Sequence, residues 1–230
     1  MHYGGIPVLK DDRFVVLMAM LILGVALFLS PPQGMALTLP EVIAAAQEVY
    51  DKTDDLQADF RQEAVIKSVN KTDREEGVFY YKKPRRMVWA YTKPQNKKMI
   101  INPQTAWLYI PADNIVYVQN AAEIFKGTAI IRFLAGWGKL TEDFTITFAG
   151  PEGMDREGNF SLRLVPKERD FGIDVFFLAL NRDTFQISRI SFTDSYGNET
   201  RVSFRNIKTN NRPAERFFTF IPPAGVEIQK

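Results

Sequence analysis

From Val78 onward the chain reads VFYYKKPRRMVWAYTKPQNKKMIINPQTAWLYI, a run of large apolar side chains cut into short pieces by Pro84, Pro94 and Asn102-Pro103. Strand side chains alternate between faces, so Met87, Trp89 and Tyr91 share one side while Arg86, Val88 and Ala90 share the other. One face thus collects broad, weakly polar groups. Rings in such positions either fill an ordinary sheet core or, in a chain poor in catalytic residue types, line a cavity for something greasy.

The same alternation recurs along the sequence. Leu56 to Val69 sets Leu56, Ala58 and Phe60 against Gln57, Asp59 and Arg61, and Asn70 to Asp73 forms a turn. Strands follow near Gly77–Lys82, Arg86–Tyr91, Lys98–Asn102, Ala106–Ile110 and Ile115–Gln119. A second batch follows near Phe144–Phe148, Phe160–Val165, Val175–Leu180, Phe185–Thr193, Thr200–Ile207 and Phe217–Ile221. Short strands separated by hairpin turns, with no βαβ alternation, predict a mainly β chain with an antiparallel sheet of about eleven strands. A sheet of that size curls or closes.

Helical spacing occurs twice. Thr38-Leu39-Pro40-Glu41 has capping-box spacing, and Val42, Ile43, Ala46, Val49 and Tyr50 then follow on one stripe, predicting a helix from Leu39 to Thr53. Asn120 to Glu123 repeats the box, and Ile124, Ile131, Leu134 and Ala135, with Ile130, Phe133 and Trp137 beside them, predict a helix from Ala121 to Ala135. A helix with an apolar stripe set between two batches of strands has to lay that stripe on the sheet.

Residues 1–36 are read as a cleaved secretory leader: Lys10 and Arg13, an uncharged run from Phe14 to Leu29, then Gly34 and Ala36 at the small-residue positions of a cleavage site. Residues 37–230 then form a single domain, soluble and free after export. The chain has no cysteine, and its one histidine, His2, lies in the leader, so the remaining chain offers no Ser-His-Asp or Cys-His arrangement and no zinc site of the usual kind. We expect no catalysis, metal or cofactor. A net charge of +2 is too small for a polyanion partner, and Lys82-Lys83-Pro84-Arg85-Arg86 reads as a sheet rim, so nucleic acid is not expected.

Other apparent motifs carry little. Gly136-Trp137-Gly138-Lys139 has Phe133 and Leu140 where a phosphate loop needs Gly and Ser or Thr. Asp51, Asp54 and Asp55 read as a solvated helix end rather than a cation site, and Asp170 with Asp174 as a loop rather than an acid-base pair.

The order of Phe60-Arg61-Gln62, Lys83-Pro84 with Trp89-x-Tyr91, Trp107-x-Tyr109-x-Pro111, Asp194-x-x-Gly197 and the ending Phe218-Thr219-Phe220-Ile221-Pro222-Pro223-Ala224-Gly225-Val226 resembles the LolA-type periplasmic carriers of outer-membrane lipoproteins. The resemblance implies an incomplete barrel covered by a helical lid, with a hydrophobic cavity between. It implies acylated lipoproteins as cargo, an ATP-driven release complex in the inner membrane as donor, and an outer-membrane receptor as acceptor. A monomer is expected. The receptor of such systems starts at a lipidated cysteine, which this chain lacks. Such carriers often have Arg where this chain has Lys83, a position that holds the lid through backbone carbonyls. Either Lys83 acts as that latch or Arg85 or Arg86 replaces it. The expected acyl-chain cavity is lined by Met87, Trp89, Tyr91, Ile101, Trp107 and Tyr109, by Phe133 and Leu134 from the lid, and by Val202 and Phe204. A lipid sensor on the same fold is the alternative, and a lipid-acting enzyme using Asp170 and Asp174 a more distant one.

Overall fold

In the computed structural model, the alternating runs become strands whose pairing assigns each side chain to a face. The structure describes residues 37–127, 130, 133, 139–150, 152–168 and 172–230. The leader, Leu134, Gly136 to Gly138 and Asp170 lie outside the described residues.

Helix α1 (Leu39–Asp51) starts where the Thr38 box places it. The Glu41 carboxylate accepts 2.7 Å hydrogen bonds from both the Thr38 backbone N–H and its hydroxyl, which hold the Glu41 pKa below its ordinary value. Six strands follow as a meander: β1 (Asp55–Ile66), β2 (Lys71–Lys82), β3 (Arg86–Lys93), β4 (Lys97–Ile101), β5 (Thr105–Ile110) and β6 (Ile115–Asn120). Helix α2 (Ala121–Gly127) begins at Asn120, whose side-chain oxygen accepts the Ala122 N–H at 2.9 Å, and Ile130 and Phe133 are also helical. A short turn of helix, α3 (Leu140–Asp143), leads into β7 (Phe144–Phe148), β8 (Phe160–Pro166), β9 (Ile173–Leu180), β10 (Ile187–Asp194) and β11 (Glu199–Thr209), and the chain closes with β12 (Glu227–Gln229).

The twelve strands make one sheet in the order β12-β6-β5-β4-β3-β2-β1-β11-β10-β9-β8-β7. It is curved and open, and every pairing is antiparallel except the last, where β12 runs parallel to β6. The pairing of β1 with β11 joins the two batches, setting Phe60 opposite Phe204 and Gln62 opposite Val202.

The sheet has two apolar faces. On the inner one, Leu56, Ala58, Phe60, Phe79, Tyr81, Met87, Ile101, Val202 and Phe204 form one buried cluster with Val42, Ala46 and Tyr50 of α1 and with Phe125, Ile130 and Phe133. On the outer one, Val88 and Ile100 pack around Phe218, with Tyr80, Trp107 and Phe220 beside them. Gly77 allows the tightest approach on the inner side. A Cβ there would lie 2.1 Å from the Ala90 carbonyl oxygen and 2.9 Å from the Phe60 ring, and the β2–β3 register shifts at this point.

Several sequence expectations need correction. Strand β2 starts at Lys71, not Gly77, because its polar first half pairs fully with β1 despite offering no apolar alternation. The predicted strand Phe217–Ile221 is instead a 3-10 turn, Glu215–Phe218, and a strap running over the outer face. Pro213, Pro222 and Pro223 bracket that segment, and they have no N–H to give a ladder. Asp55 is buried, not a solvated helix end: its carboxylate accepts the N–H groups of Asn211 and Arg212 at 2.8 and 3.0 Å.

Candidate functional site

The inner face holds an aromatic row fixed by strand register. Phe60 of β1 meets Trp89 and Tyr91 of β3 edge-on, with centroids 4.9 and 5.0 Å apart, across the space that Gly77 leaves free. Phe79 lies 4.4 Å from Trp89 and 5.7 Å from Phe204, and Trp89 lies 6.0 Å from Phe204. Each such pair adds about 0.5–1.5 kcal/mol beyond its buried area. Met87 and Ile101 are cross-strand partners in the same cluster, and Val202 lies close by on β11.

Of the residues nominated from sequence, the structure brings Met87, Trp89, Tyr91, Ile101, Phe133, Val202 and Phe204 to this one face. It does not bring Trp107 and Tyr109. The Asn102–Gln104 turn pairs Ile101 with Ala106, so Ala106 points inward and Trp107 and Tyr109 point outward. There their rings pack at 6.2 and 5.5 Å from Phe220 of the strap. They are anchors for that segment and belong to the opposite face.

A lid covers the inner face closely. Tyr50 of α1 is 7% exposed and meets Phe133 at 4.9 Å, and Val42 and Ala46 are fully buried. Burial pushes the Tyr50 phenol well above its ordinary pKa of 10. A narrow space of about 10 Å³ lies between α1 and the sheet, lined by Tyr50, Leu56, Ala58, Phe79, Tyr81, Ile187, Phe204 and Ile207. That space by itself holds at most one water and no hydrocarbon chain. Its walls are nevertheless almost wholly apolar. A larger hollow of about 540 Å³ lies against the sheet where Asp59, Arg61, Glu63, Glu76, Arg189, Arg201 and Arg205 gather, and that lining is unsuited to hydrocarbon.

The lid is tied down at one end. Helix α1 has no basic residue in its last turn, so its final carbonyls need partners from elsewhere. Lys83, just beyond β2, donates from Nζ to the carbonyl oxygens of Tyr50 and Asp51, both at 2.9 Å, and its own N–H bonds the Asp54 carbonyl at 2.8 Å. An ammonium at a helix C-terminus also meets the negative end of the helix dipole. Arg86 turns elsewhere: its guanidinium reaches the carbonyls of Lys83 and Pro84 at 3.4 and 3.3 Å and the Glu215 carboxylate at 3.4 Å. Arg85 sits at the turn with φ +57°.

Tyr91 marks the rim of the row. Lys97 Nζ stands 4.3 Å above its ring, and burial together with the nearby Glu75 carboxylate pushes its phenol up to about 12. Sequence reasoning passed over Phe79, Tyr81 and Tyr50 as wall residues. The parity of Gly77, Phe79 and Tyr81 along β2 held the signal for the first two.

No helix among the described residues is long and apolar enough to cross a membrane. The family model described as "Outer membrane lipoprotein carrier protein LolA" matches residues 51–221. The chain is 27% identical over 216 residues to the outer-membrane lipoprotein carrier protein of Methylococcus capsulatus, covering 94% of this chain and 96% of that one. It is 29% identical over 195 residues to the protein of the same name from Bordetella pertussis, covering 83% and 89%. In fold it is similar to an uncharacterised conserved protein from Thermus thermophilus, with a TM-score of 0.52, 12% identity, and coverage of 83% of this chain and 97% of that one. A curved open sheet with a helical cover and a match over most of its length make this chain a member of the LolA family of outer membrane lipoprotein carrier proteins.

Proposed function

We propose that the chain works in the periplasm as a soluble carrier, after loss of residues 1–36, and that its inner face takes up the acyl chains of lipoproteins. It receives them from an ATP-driven release complex in the inner membrane and yields them to a receptor at the outer membrane. It acts as a monomer, by binding and without catalysis. The observation that carries this reading is the apolar inner face filled by the protein's own lid and tied at one end by the Lys83 ammonium.

The energetics suit a carrier. A methylene removed from water is worth about 0.8 kcal/mol, so about a dozen in one acyl chain give roughly 10 kcal/mol. Displacing Val42, Ala46, Tyr50 and Phe133 from the sheet returns apolar area to water and offsets part of that gain. The remaining affinity is moderate, and the next partner can take the cargo. The single charged donor that makes both hydrogen bonds is worth about 2 kcal/mol in all, enough to favour the shut lid when empty and too little to keep it shut against several chains.

The test is release of a fatty-acylated lipoprotein from membranes bearing the release complex. Protein added outside the membranes is expected to recover the lipoprotein in soluble form, in a one-to-one complex. Trp89→Asp, which puts a carboxylate in the middle of the row, is expected to keep the circular dichroism of the wild type and to recover none. Lipoprotein that stays in the membrane with the wild type added would defeat the carrier reading. Unfolding of Trp89→Asp would make Trp89 a core residue and not a wall of the site.

A further inference from the structure

Tyr81 is out of keeping with the rest of the inner face. The residue is 1% exposed, yet its hydroxyl has no hydrogen-bond partner among the described residues. Burying a hydroxyl unpaired is costly, so an unpaired one calls for an explanation, and service to another state of the molecule is one. Its place in the fold suggests which state. It sits near the end of β2, two residues before the Lys83 tie, opposite Leu56 on β1 and Met87 on β3. It lines the closed space under α1, where the other walls are Leu56, Ala58, Phe79, Ile187, Phe204, Ile207 and Tyr50. The Tyr50 hydroxyl is already engaged by the Ile187 backbone, and the Lys83 ammonium by two carbonyls. Burial, then the nearby Tyr50 and Asp54, push the Tyr81 phenol well above its ordinary value of 10, so it is a neutral donor at any physiological pH.

We propose that the Tyr81 hydroxyl is a cargo-binding group: when α1 lifts and hydrocarbon chains enter, it donates a hydrogen bond to a fatty-acyl ester or amide carbonyl. This rests on the carrier reading and adds to it the part of the cargo that is recognised. A neutral donor among hydrocarbon walls suits a neutral acceptor; a carboxylate or phosphate would have to shed its water in the same place, at far greater cost. The position also fits the shape of an acylated head. Tyr81 lies beside the tie at the mouth, whereas Phe79, Trp89 and Phe60 continue the apolar surface along the sheet, so a carbonyl held at Tyr81 directs its chain along that row. The bond would set how far the chains enter.

The experiment titrates the purified protein with two fluorescent two-chain glyceryl probes that differ only in linkage, one with ester-linked and one with ether-linked chains. Wild type is expected to bind the ester probe about tenfold more tightly, the worth of one net hydrogen bond. Tyr81→Phe is expected to lose that preference by weakening the ester probe alone, with no fall in melting temperature. Equal binding of both probes by wild type, or equal weakening of both in Tyr81→Phe, would overturn the assignment and leave the carrier reading standing. Binding of neither probe by wild type would remove the carrier reading and this inference with it.

Discussion

The inner and outer faces of the sheet are both apolar and aromatic, and both are covered, but the covers are attached differently. The strap over the outer face is fastened along its length. Glu215 pairs with Lys82 at 2.6 Å and with Arg86 at 3.4 Å, Lys82 also donates to the Pro213 carbonyl at 3.1 Å, and Phe218 is 1% exposed among Val88 and Ile100. Beyond it, Asn114 donates to the Gly225 carbonyl at 2.9 Å, and β12 joins the ladder of β6. The α1 part of the inner cover is tied, among the described residues, by Lys83 at its end, the Asn210 side chain to the Lys52 carbonyl at 3.2 Å, and the Leu140 N–H to the Gln47 side chain at 3.3 Å, and otherwise packs through apolar contact. Hydrophobic contact is non-directional and re-forms with any greasy partner. On the proposed carrier reading, the ion-paired outer cover is the fixed one and α1, held mainly by apolar contact, the exchangeable one.

Three substitutions would break or sharpen that contrast. Phe218→Ala should have the largest effect, costing about 3–5 kcal/mol as a cavity opens under the strap. Denaturant unfolding should register that loss, while the protein that remains folded should bind acyl probes as wild type does. A lost affinity with unchanged stability would mean that the outer face, not the inner, takes cargo. Lys83→Leu should cost about 2 kcal/mol, as the α1 carbonyls lose a charged donor. Hydrogen exchange should speed up about 10- to 30-fold in α1 and little in the sheet, and Lys83→Arg should restore protection. Uniform speeding across the sheet would show α1 to be an integral part of the fold.

The smallest effect belongs to Glu215→Gln and depends on pH. The Lys82 hydrogen bond, with the Arg86 and Lys82 charges, holds the Glu215 pKa below its ordinary 4.5. A carboxylate whose pKa is lower folded than unfolded contributes stability that is complete above its unfolded value and is lost as pH falls through its folded one. Wild type should therefore melt slightly above Glu215→Gln at neutral pH, and the gap should close below about pH 4. A gap that persists in acid would assign Glu215 a role apart from its charge.

Much of the strand pattern was legible because a period of two survives wherever one face is buried, as at Leu56, Ala58 and Phe60. Thr38 with Glu41 marked the start of α1 for an equally local reason. The errors arise where the answer is not local. Trp107 and Tyr109 alternate as regularly as Trp89 and Tyr91, and only the pairing of Ile101 with Ala106 decides which face they take. Phe218 and Phe220 also alternate, but their neighbours are an already paired sheet surface and flanking prolines, so they lie across it. Three residues, Glu227 to Gln229, are too few to show any period, and β12 was missed. The tight fit of the lid is a property of volumes meeting across the fold, which no spacing along the chain encodes.

A sheet that stays open is left with two raw borders, and here both are blunted. Glu227, Ile228 and Gln229 occupy the border of β6, and the other border, β7, is five residues long with Thr145 and Thr147 outermost. Short borders leave few backbone donors on which a second copy could begin a shared ladder, which would guard a carrier that opens its apolar face against clumping at its edges.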